Sequence, residues 1–320
     1  MTTILINLEP DRLSAEQLAQ IQSAAPGMRI RMTRDPDEIE SLLHDIEIVV
    51  GGLPHHLFSR APKLRWLQQW GAGADWLLCA PEAVQHKFVL TSASGVHAIP
   101  ISEQIIGYLL AFGRGLHRAV CAQVKHQWHR ETKQSLFELS GKTMALIGVG
   151  AIGARTAEIA VALGMRVLGV RRDPRIETPH IAASYGPDQL LDVLPLADFV
   201  VLTIPLTRET RGMIGERELR AMKPTAYIVN IGRGATIRQD ALIRALQEGW
   251  IAGAGLDVFN TEPLPQDSPL WDMENVIVTG HYAGMTPEYD TRALDIFLDN
   301  LKRYRTSQAL VNVVDKRLGY

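Results

Sequence analysis

Four polar side chains follow three apolar segments in the second half of the chain, and their types suit acid–base chemistry. The stretch AYIVNIGRGATI places Arg233 between two glycines just after an apolar run. GAGLDVFNTEPLP ends a second run with Asp257 and then Glu262, and NVIVTGHYAG ends a third with His281. In an open parallel α/β sheet, ligands bind outside the carboxyl ends of the strands. These side chains are therefore predicted to lie along the same edge of one sheet.

The residue types suit the reduction of a carbonyl group. Hydride transfer to a ketone leaves an alkoxide that needs a proton, and His281 can supply one near neutral pH. Glu262 beside the imidazole would favour its protonated form and fix its orientation. Arg233 would polarise the carbonyl and pair with an adjacent carboxylate in planar geometry. Taken singly, each residue has a structural alternative, as a hydrogen-bonded strand-end histidine, a solvated loop acid or a surface arginine in a turn.

The segment ALIGVGAIGARTAE predicts a dinucleotide-binding turn. It is predicted to form a strand, then Gly148-x-Gly150-x-x-Gly153, then a helix, and a second strand MRVLGV follows. Gly148 permits the tight turn, Gly150 lets a pyrophosphate approach the backbone, and Gly153 allows close packing of helix and strand. The N–H groups at the helix start, including those of Ala151 and Ile152, can bind phosphate oxygens. A tight turn without a ligand is the alternative.

Two adjacent arginines follow that second strand, in the stretch VLGVRRDPR. At this position an acidic residue usually holds the adenosine ribose hydroxyls. Here the strand ends in Arg171 and Arg172, and Asp173 comes only after them, before a proline. Guanidinium groups pair with a phosphate through charged hydrogen bonds, so NADP(H) is predicted as the preferred cofactor over NAD(H). The alternative is that both arginines are solvated surface charges and that Asp173 still reaches the ribose.

Short apolar runs alternate with helical patterns along the chain, which favours an α/β protein built on parallel sheets. Two series of strands are predicted, with candidate boundaries at residues 98–100 and just after His281. The first series is TILINLE, MRIRMT, IEIVVGG, RWLQQW and FVLTSA, with helices at SAEQLAQIQSAA and DEIESLLH. The second follows a helix at ISEQIIGYLLAFGRGL and comprises TMALIGV, MRVLGV, DFVVLTI, AYIVNI, GAGLDV and NVIVTG. A long amphipathic helix, TPEYDTRALDIFLDNLKRYRTS, has no strand partner of its own.

Composition excludes several classes of partner. The 320 residues carry 33 basic and 35 acidic side chains, a formal net charge of -2, so no strong field recruits nucleic acid or an acidic membrane. Cys79 and Cys121 lie far apart, which argues against a disulfide or a zinc site, and no metal is expected. The N-terminus lacks the pattern of a signal peptide, and no apolar run is long enough to span a bilayer. A cytoplasmic protein is expected.

Taken together, these stretches resemble the D-isomer-specific 2-hydroxyacid dehydrogenase family, which includes glyoxylate/hydroxypyruvate reductases and phosphoglycerate dehydrogenase. PKLRWLQQWGAGADWL resembles the family's substrate-domain signature less sharply. The resemblance implies two Rossmann-like or flavodoxin-like parallel-sheet domains with a cleft between them. The dinucleotide-binding domain, residues 99–286, would be inserted into a substrate-binding domain, residues 1–98 plus 287–320. The matching stretches cover most of residues 95–290: GKTMALIGVGAIG, LTIPLTRETRGMIG, MKPTAYIVNIGRGA, GAGLDVFNTEPLP and SPLWDMENVIVTGHYAG.

The family resemblance also implies roles for individual residues. Arg233 would bind and polarise a 2-oxoacid, His281 would be the acid/base, and Glu262 its carboxylate partner. Main-chain amides around Ala72 and Gly73 would hold the substrate carboxylate. A homodimer formed through roughly residues 100–140 is implied as well. The resemblance places Asp257, Thr203, Pro205 and Ile231 where the family's loops meet the nicotinamide half of the cofactor. Arg233 and His281 are also expected among the cofactor-binding residues.

Two departures and several rival functions remain open at this stage. Arg171 replaces the acidic residue that ends this strand in the family. Gly280 stands where many relatives have proline, and the role of Tyr282, which follows His281, is left open. Trp70 and Trp76 either wall a pocket or belong to the core. Glyoxylate, hydroxypyruvate or another short 2-oxoacid is the preferred substrate class. The alternatives are a non-catalytic nucleotide sensor or corepressor-like protein, and a phosphite dehydrogenase of the same architecture. A formate enzyme of this architecture is not expected, because it would pair its histidine with glutamine and this sequence has glutamate.

Overall fold

The computed structural model describes residues 2–320, which divide into two compact units. One unit comprises the chain up to Val96 together with Thr286–Tyr320, and the other comprises His97–Met285. Each unit has a parallel sheet of its own, so the predicted α/β class with two parallel sheets is confirmed. None of the helices within residues 2–320 combines the length and apolar character that crossing a bilayer requires.

The first unit is built on a five-stranded parallel sheet of order β2-β1-β3-β4-β5. Helix α1 begins after Ser14, whose hydroxyl accepts from the Gln17 amide while the Gln17 side chain accepts from the Ser14 amide, a reciprocal cap. The elements of this first unit up to residue 91 are β1 (Thr3–Ile6), α1 (Ala15–Ala24), β2 (Arg29–Met32), α2 (Pro36–Leu42), β3 (Ile46–Val50), β4 (Trp66–Gln68), α3 (Pro81–Gln85) and β5 (Val89–Thr91).

The second unit contains a seven-stranded parallel sheet of order β12-β11-β10-β9-β6-β7-β8. Successive strands run outward from β6 in both directions, so the strand order reverses between β6 and β9. In open α/β sheets a ligand crevice lies at such a reversal. Its elements are α4 (Ala98–Gly113), α5 (Leu116–Val124), β6 (Thr143–Ile147), α6 (Ala151–Ala162), β7 (Arg166–Val170), β8 (Ala183–Tyr185), α7 (Leu190–Val193), β9 (Phe199–Leu202), α8 (Glu216–Ala221), β10 (Tyr227–Asn230), α9 (Gln239–Gln247), β11 (Gly253–Leu256) and β12 (Val276–Val278).

The central strands of this second sheet are apolar on both faces. In β6, Ala145 and Ile147 join one core cluster and Met144 and Leu146 join the other, because successive side chains of a strand point to opposite faces. Helices cover both faces, as a parallel sheet requires. This explains why the sequence shows continuous apolar runs here instead of an alternation of polar and apolar residues.

The region after residue 97 differs from the predicted helix at ISEQIIGYLLAFGRGL. The helix starts earlier, at Ala98, and ends at Gly113. Gly115 takes a left-handed conformation (φ +64°), and a separate helix, α5, begins at Leu116. A glycine adopts this conformation without the steric cost that other residues meet, so it turns the chain between the two helices. Strand β8 was not predicted, because its three residues carry too short a pattern.

The C-terminal helix α10 (Tyr289–Arg305) packs within the first unit. The rings of its Phe297 and Tyr304 stack on Trp66 of β4, with centroids 5.4 and 5.5 Å apart. The buried amide of Asn300 donates to the side-chain oxygen of Gln68, also in β4, at 3.2 Å. The helix therefore contributes both apolar and polar contacts to the core of a sheet whose strands all lie before residue 92.

Candidate active site

The glycine-rich turn between β6 and α6 lies at the reversal of strand order. Gly148 is left-handed (φ +102°), and its carbonyl accepts a 2.7 Å hydrogen bond from the Thr203 hydroxyl. A Cβ atom on Gly148 would lie 2.8 Å from the Ile204 side chain. A Cβ atom on Gly153 would collide with the Gly148 carbonyl oxygen. The first and third glycines thus have the conformational and packing roles predicted from the sequence.

The start of α6 fits the phosphates of a dinucleotide. The first N–H groups of a helix have no partners inside it, and no side chain caps Gly150 at this N-terminus. Gly150 and Ala151 are exposed, and a Cβ atom on Gly150 would meet nothing within 4 Å. The open space over Gly150, together with N–H donors at the positive end of the helix dipole, suits an anionic group. Gly150, Ala151, Ile152 and Gly153 are the residues that would hold it.

Three further predicted cofactor residues lie at the carboxyl ends of neighbouring strands. Thr203 follows β9, and its amide donates to the Ile147 carbonyl at 2.9 Å. Pro205, two residues later, is exposed, and its carbonyl accepts from the Thr210 hydroxyl at 2.7 Å. Ile231 follows β10 and is buried. They share the sheet edge that carries the glycine turn, and their contacts with the cofactor stay predictions.

The arginine pair at the end of β7 lies in two different settings. Arg171 is half-buried, and its Nη1 atom donates to the Thr178 hydroxyl at 2.8 Å and to the Ile176 carbonyl at 3.2 Å. Arg172 is exposed. Asp173 is held by Arg175: Nε and Nη2 of this arginine lie 2.8 and 2.9 Å from the two carboxylate oxygens. These hydrogen bonds hold the pKa of Asp173 below its usual value.

His281 and Glu262 form a direct pair. The Nδ1 atom of His281 lies 2.6 Å from Oε2 of Glu262, and Oε1 of Glu262 accepts from the Phe259 amide at 2.9 Å. Since an ionised carboxylate only accepts, Nδ1 must carry a proton, which leaves Nε2 as the nitrogen that can exchange one. The imidazole side chain is 48% exposed, so it is open to a ligand.

Arg233 lies in the loop after β10, beside the segment that contains Glu262. Asn230 shapes this loop: its side-chain oxygen accepts from the Gly232 amide at 3.1 Å, and its side-chain nitrogen donates to the Arg233 carbonyl at 3.1 Å. The backbone at Gly234 approaches Phe259 so closely that a Cβ atom would overlap it. This contact brings the loop of Arg233 against the loop that ends in Glu262.

Asp257 is buried, and its carboxylate is surrounded by donors from the His281 loop. Oδ1 accepts from the Thr279 hydroxyl at 2.5 Å and from the Tyr282 amide at 3.1 Å, and Oδ2 accepts from the Ala283 amide at 3.1 Å. Sequence reasoning placed Asp257 near the nicotinamide and did not anticipate these contacts. A carboxylate that directly follows a buried strand was the only available signal.

His97 is a further imidazole near this group. Its Nδ1 atom lies 3.2 Å from the Gly284 carbonyl, at the start of α4. Burial lowers the pKa of His97, and the positive charges of Arg233 and His281 lower it further. His97 is therefore neutral at physiological pH. No sequence motif assigned a role to His97.

In the first unit, the loop after β4 contains the amides predicted to hold a substrate carboxylate. Gln69 is buried, and its side-chain nitrogen donates to the carbonyls of Gly71 and Gly73. Its side-chain oxygen accepts from the indole of Trp76 at 2.6 Å. Gln69 thus braces the turn that presents Ala72 and Gly73, both of which are half-buried.

The two tryptophans of this region differ in their surroundings. Trp70 is 4% exposed, lies in the core and donates to the Asp290 carboxylate at 2.7 Å. Trp76 is half-buried and stacks on His55, with centroids 5.5 Å apart. Of the two readings left open for these residues, core packing applies to Trp70. Trp76 remains a candidate for lining a ligand pocket.

Comparison with known proteins decides the family. The model of the D-isomer specific 2-hydroxyacid dehydrogenase NAD-binding domain matches residues 106–283, more than half of the chain. The protein belongs to this family. The resemblance inferred from the motifs is thereby confirmed, and this 2-hydroxyacid dehydrogenase family member is an NAD(P)-dependent oxidoreductase.

Relatives of this 2-hydroxyacid dehydrogenase family member agree in sequence over most of its length. A glyoxylate reductase of Korarchaeum cryptofilum is 35% identical over 296 residues, which is 90% of this chain and 86% of the relative. A D-3-phosphoglycerate dehydrogenase of Methanocaldococcus jannaschii is 34% identical, but the match covers 85% of this chain and only 52% of that protein.

Solved structures agree with the fold of the whole chain. An NADPH-dependent glyoxylate/hydroxypyruvate reductase of Sinorhizobium meliloti, in complex with NADP and sulfate, superposes with a TM-score of 0.85 at 28% identity and covers 100% of both chains. A D-isomer specific 2-hydroxyacid dehydrogenase of Xanthobacter autotrophicus Py2, in complex with NADPH and MES, gives a TM-score of 0.86 at 27% identity, covering 100% of this chain and 99% of the other.

Proposed function

We propose that the protein is an NADPH-preferring reductase that converts short 2-oxoacids, of the glyoxylate and hydroxypyruvate class, to D-2-hydroxyacids. The observation that carries this proposal is the 2.6 Å contact between His281 Nδ1 and Glu262, which leaves Nε2 to exchange a proton. Relatives named for glyoxylate reduction and a neighbour named for NADPH-dependent glyoxylate/hydroxypyruvate reduction support the substrate class.

The proposed reaction adds a hydride and a proton across the 2-oxo group. A nicotinamide cofactor, when bound, supplies the hydride that goes to the carbonyl carbon. Arg233 polarises the carbonyl and pairs with the substrate carboxylate, since a guanidinium matches a carboxylate in planar geometry. His281, protonated on both nitrogens, gives its Nε2 proton to the oxygen as the negative charge develops. Glu262 stabilises the charged imidazole through Nδ1.

Each unit is assigned one binding task. We assign cofactor binding to residues 99–286, where the glycine turn and the strand ends lie. We assign substrate binding to residues 1–98 plus 287–320, where the amides of Ala72 and Gly73 would donate to the substrate carboxylate. The buried brace of Gln69 on this loop supports the second assignment, because a fixed loop can present amide donors in one orientation.

The function is tested with a panel of 2-oxoacids and both reduced cofactors. We expect the highest kcat/KM with NADPH and a two- or three-carbon oxoacid, with the D-enantiomer formed from hydroxypyruvate. 2-Oxobutyrate and longer oxoacids measure the size limit, and phosphite with NADP⁺ tests the rival activity. Absence of NADPH oxidation with every oxoacid would contradict the proposal, and phosphite oxidation alone would establish the rival.

The cofactor preference depends on Arg171 and Arg172. We expect the double variant Arg171→Ala/Arg172→Ala to lose about tenfold or more in kcat/KM for NADPH, because charged hydrogen bonds to the 2′-phosphate contribute roughly 1.5–3 kcal/mol each. The value for NADH should change less than about threefold. Calorimetric titration with 2′,5′-ADP and 5′-ADP measures the same preference without turnover.

A matched control for this pair is Arg166→Ala. Arg166 is an exposed arginine at the opposite end of the same strand, β7, so its removal changes the net charge without touching the ribose end. An equal loss of affinity for 2′,5′-ADP and 5′-ADP in the double variant would show that the arginines do not read the 2′-phosphate.

We also propose that the protein is a homodimer formed through residues 100–140. Helix α5 and the residues that follow it carry an exposed apolar stripe at intervals of four residues: Leu116, Val120, Val124 and Trp128. Such a stripe is typical of a helix face that packs on a partner. Because the family resemblance implies a dimer at this segment, the proposed occupant is a second copy of the chain. A monomeric mass in sedimentation equilibrium would contradict it.

A further inference from the structure

We propose that Thr279 and Tyr108 are positioning residues for His281, acting through the buried carboxylate of Asp257. The inference rests on the proposed function, in which His281 is the proton donor. It concerns only residues of the second unit. It assigns a catalytic consequence to Tyr108, a residue of helix α4 to which the sequence analysis gave no role.

The carboxylate of Asp257 holds the chain on both sides of His281. Thr279, two residues before the histidine, donates its hydroxyl to Oδ1 at 2.5 Å. Tyr282 and Ala283, the two residues after it, donate their amides to the same carboxylate, each at 3.1 Å. The loop that presents the imidazole is therefore closed onto one buried acceptor group.

This closure matters because His281 has an unfavourable backbone conformation. Its φ is +55°, in the left-handed region that non-glycine residues seldom adopt. Such a conformation persists only where surrounding contacts determine it. The bonds to Asp257 supply these contacts, so their loss would let the loop relax and move Nδ1 away from Glu262.

The direction of the hydrogen bonds adds Tyr108 to this series of contacts. The Thr279 hydroxyl has one proton, and it goes to Asp257, because an ionised carboxylate only accepts. The Tyr108 hydroxyl lies 2.5 Å from the same Thr279 oxygen and must therefore be the donor to it. Burial raises the pKa of Tyr108 to about 12, so the phenol keeps its proton at physiological pH.

The ring of Tyr108 is fixed by packing against the sheet. The side chain is 3% exposed, and a Cβ atom on Gly255 of β11 would lie 2.8 Å from the Tyr108 Cγ atom. Gly255 thus leaves the space that the ring fills. A rigid phenol anchors Thr279, Thr279 anchors Asp257, and Asp257 fixes the two amides beyond the catalytic histidine.

The first test uses Thr279→Val, which removes the hydroxyl with little change of shape. We expect kcat with glyoxylate and NADPH to fall about tenfold to a hundredfold, since a small displacement of a catalytic group can cost this much. KM for glyoxylate should change less than about threefold, because Thr279 does not touch the substrate. Thr279→Ser, which keeps the hydroxyl, should recover most of the lost turnover.

The second test concerns Tyr108, the first residue in the series of hydrogen bonds that runs from Tyr108 through Thr279 to Asp257. Tyr108→Phe should lower kcat by about threefold to tenfold, because Thr279 loses one partner but keeps its bond to Asp257. The double variant Tyr108→Phe/Thr279→Val should be no slower than Thr279→Val alone. Tyr227→Phe is the matched control: Tyr227 is half-buried and stacks on Phe112 of the same helix, at 4.6 Å, and its variant should keep wild-type kcat.

Amide hydrogen exchange of the protein without ligands gives a readout that needs no turnover. In Thr279→Val we expect faster exchange at Tyr282 and Ala283, with the strand β6 unchanged. Full kcat in Thr279→Val, failure of Thr279→Ser to recover turnover, or unchanged exchange at the two amides would each overturn the inference. If the wild-type protein reduces no 2-oxoacid, the proposed function fails, and the exchange result still tests the anchoring.

Discussion

Replacement of His281 by alanine is expected to lower kcat for glyoxylate reduction by about 10² to 10⁴, the range that general acid catalysis contributes. The variant loses the imidazole that the structure pairs with Glu262, so the developing alkoxide must take its proton from water. The dissociation constant of NADPH should change little, because the phosphates are assigned to the α6 N-terminus. Steady-state kinetics and a fluorescence titration with NADPH measure the two quantities.

The control for this variant is His44→Ala. His44 is an exposed histidine of the first unit, after α2, and its removal should leave kcat unchanged. A His281→Ala protein that keeps more than about a tenth of wild-type turnover would refute the role of proton donor. A variant that loses NADPH binding together with turnover would instead indicate a cofactor-binding role.

Replacement of Arg233 by lysine is expected to lower kcat/KM for glyoxylate by about a hundredfold or more. Lysine keeps the positive charge but loses the planar pair of donors that matches a carboxylate and a neighbouring carbonyl. Removing one donor to a developing oxyanion typically costs about 10²–10³ in rate. Both kcat and KM should change, because Arg233 is proposed to act in binding and in polarisation.

A nearby arginine serves as the control for this substitution. Arg238 lies five residues further along, and its side chain is 64% exposed beside Asp240. Arg238→Lys should retain wild-type kcat/KM. If Arg233→Lys were equally active, the guanidinium geometry would be irrelevant and any cation at this loop would suffice.

The fold was predictable because its signals are local and repeated. The helices predicted at SAEQLAQIQSAA and DEIESLLH correspond to α1 and α2, which the structure shows to be capped by Ser14 and Asp35. The apolar runs of β6 and β9 identify strands buried on both faces. The sequence did not predict α5, which begins at Leu116 directly after the left-handed Gly115, beyond the end of α4 at Gly113.

The candidate site was predictable to the level of strand ends. The pattern of Arg233, Asp257, Glu262 and His281 after parallel strands placed these residues on one edge, and the structure brings His281 and Glu262 into contact. Which donors surround Asp257 depends on the path of the loop from Thr279 onward, and no local pattern encodes that path. The roles of these residues stay predictions.

The same limit applies at the end of β7. Side-chain spacing shows three arginines and one aspartate within five residues, but it does not say which of them pair. The structure joins Asp173 to Arg175, both through the side chain and through the Arg175 amide. Which of several neighbouring charged side chains form a pair depends on their rotamers. These rotamers cannot be predicted from the spacing of residue types along the sequence.

The packing of α10 has a consequence for the order in which the two units fold during synthesis on the ribosome. The strands of the first sheet are translated first, but the residues of α10 that contact Trp66 and Gln68 are translated much later. These residues are Phe297, Tyr304 and Asn300. At roughly 5–20 residues per second, the intervening polypeptide delays those partners by about ten seconds or more. The internal unit, His97–Met285, can fold during that interval, and the first unit is completed only after α10 has been translated.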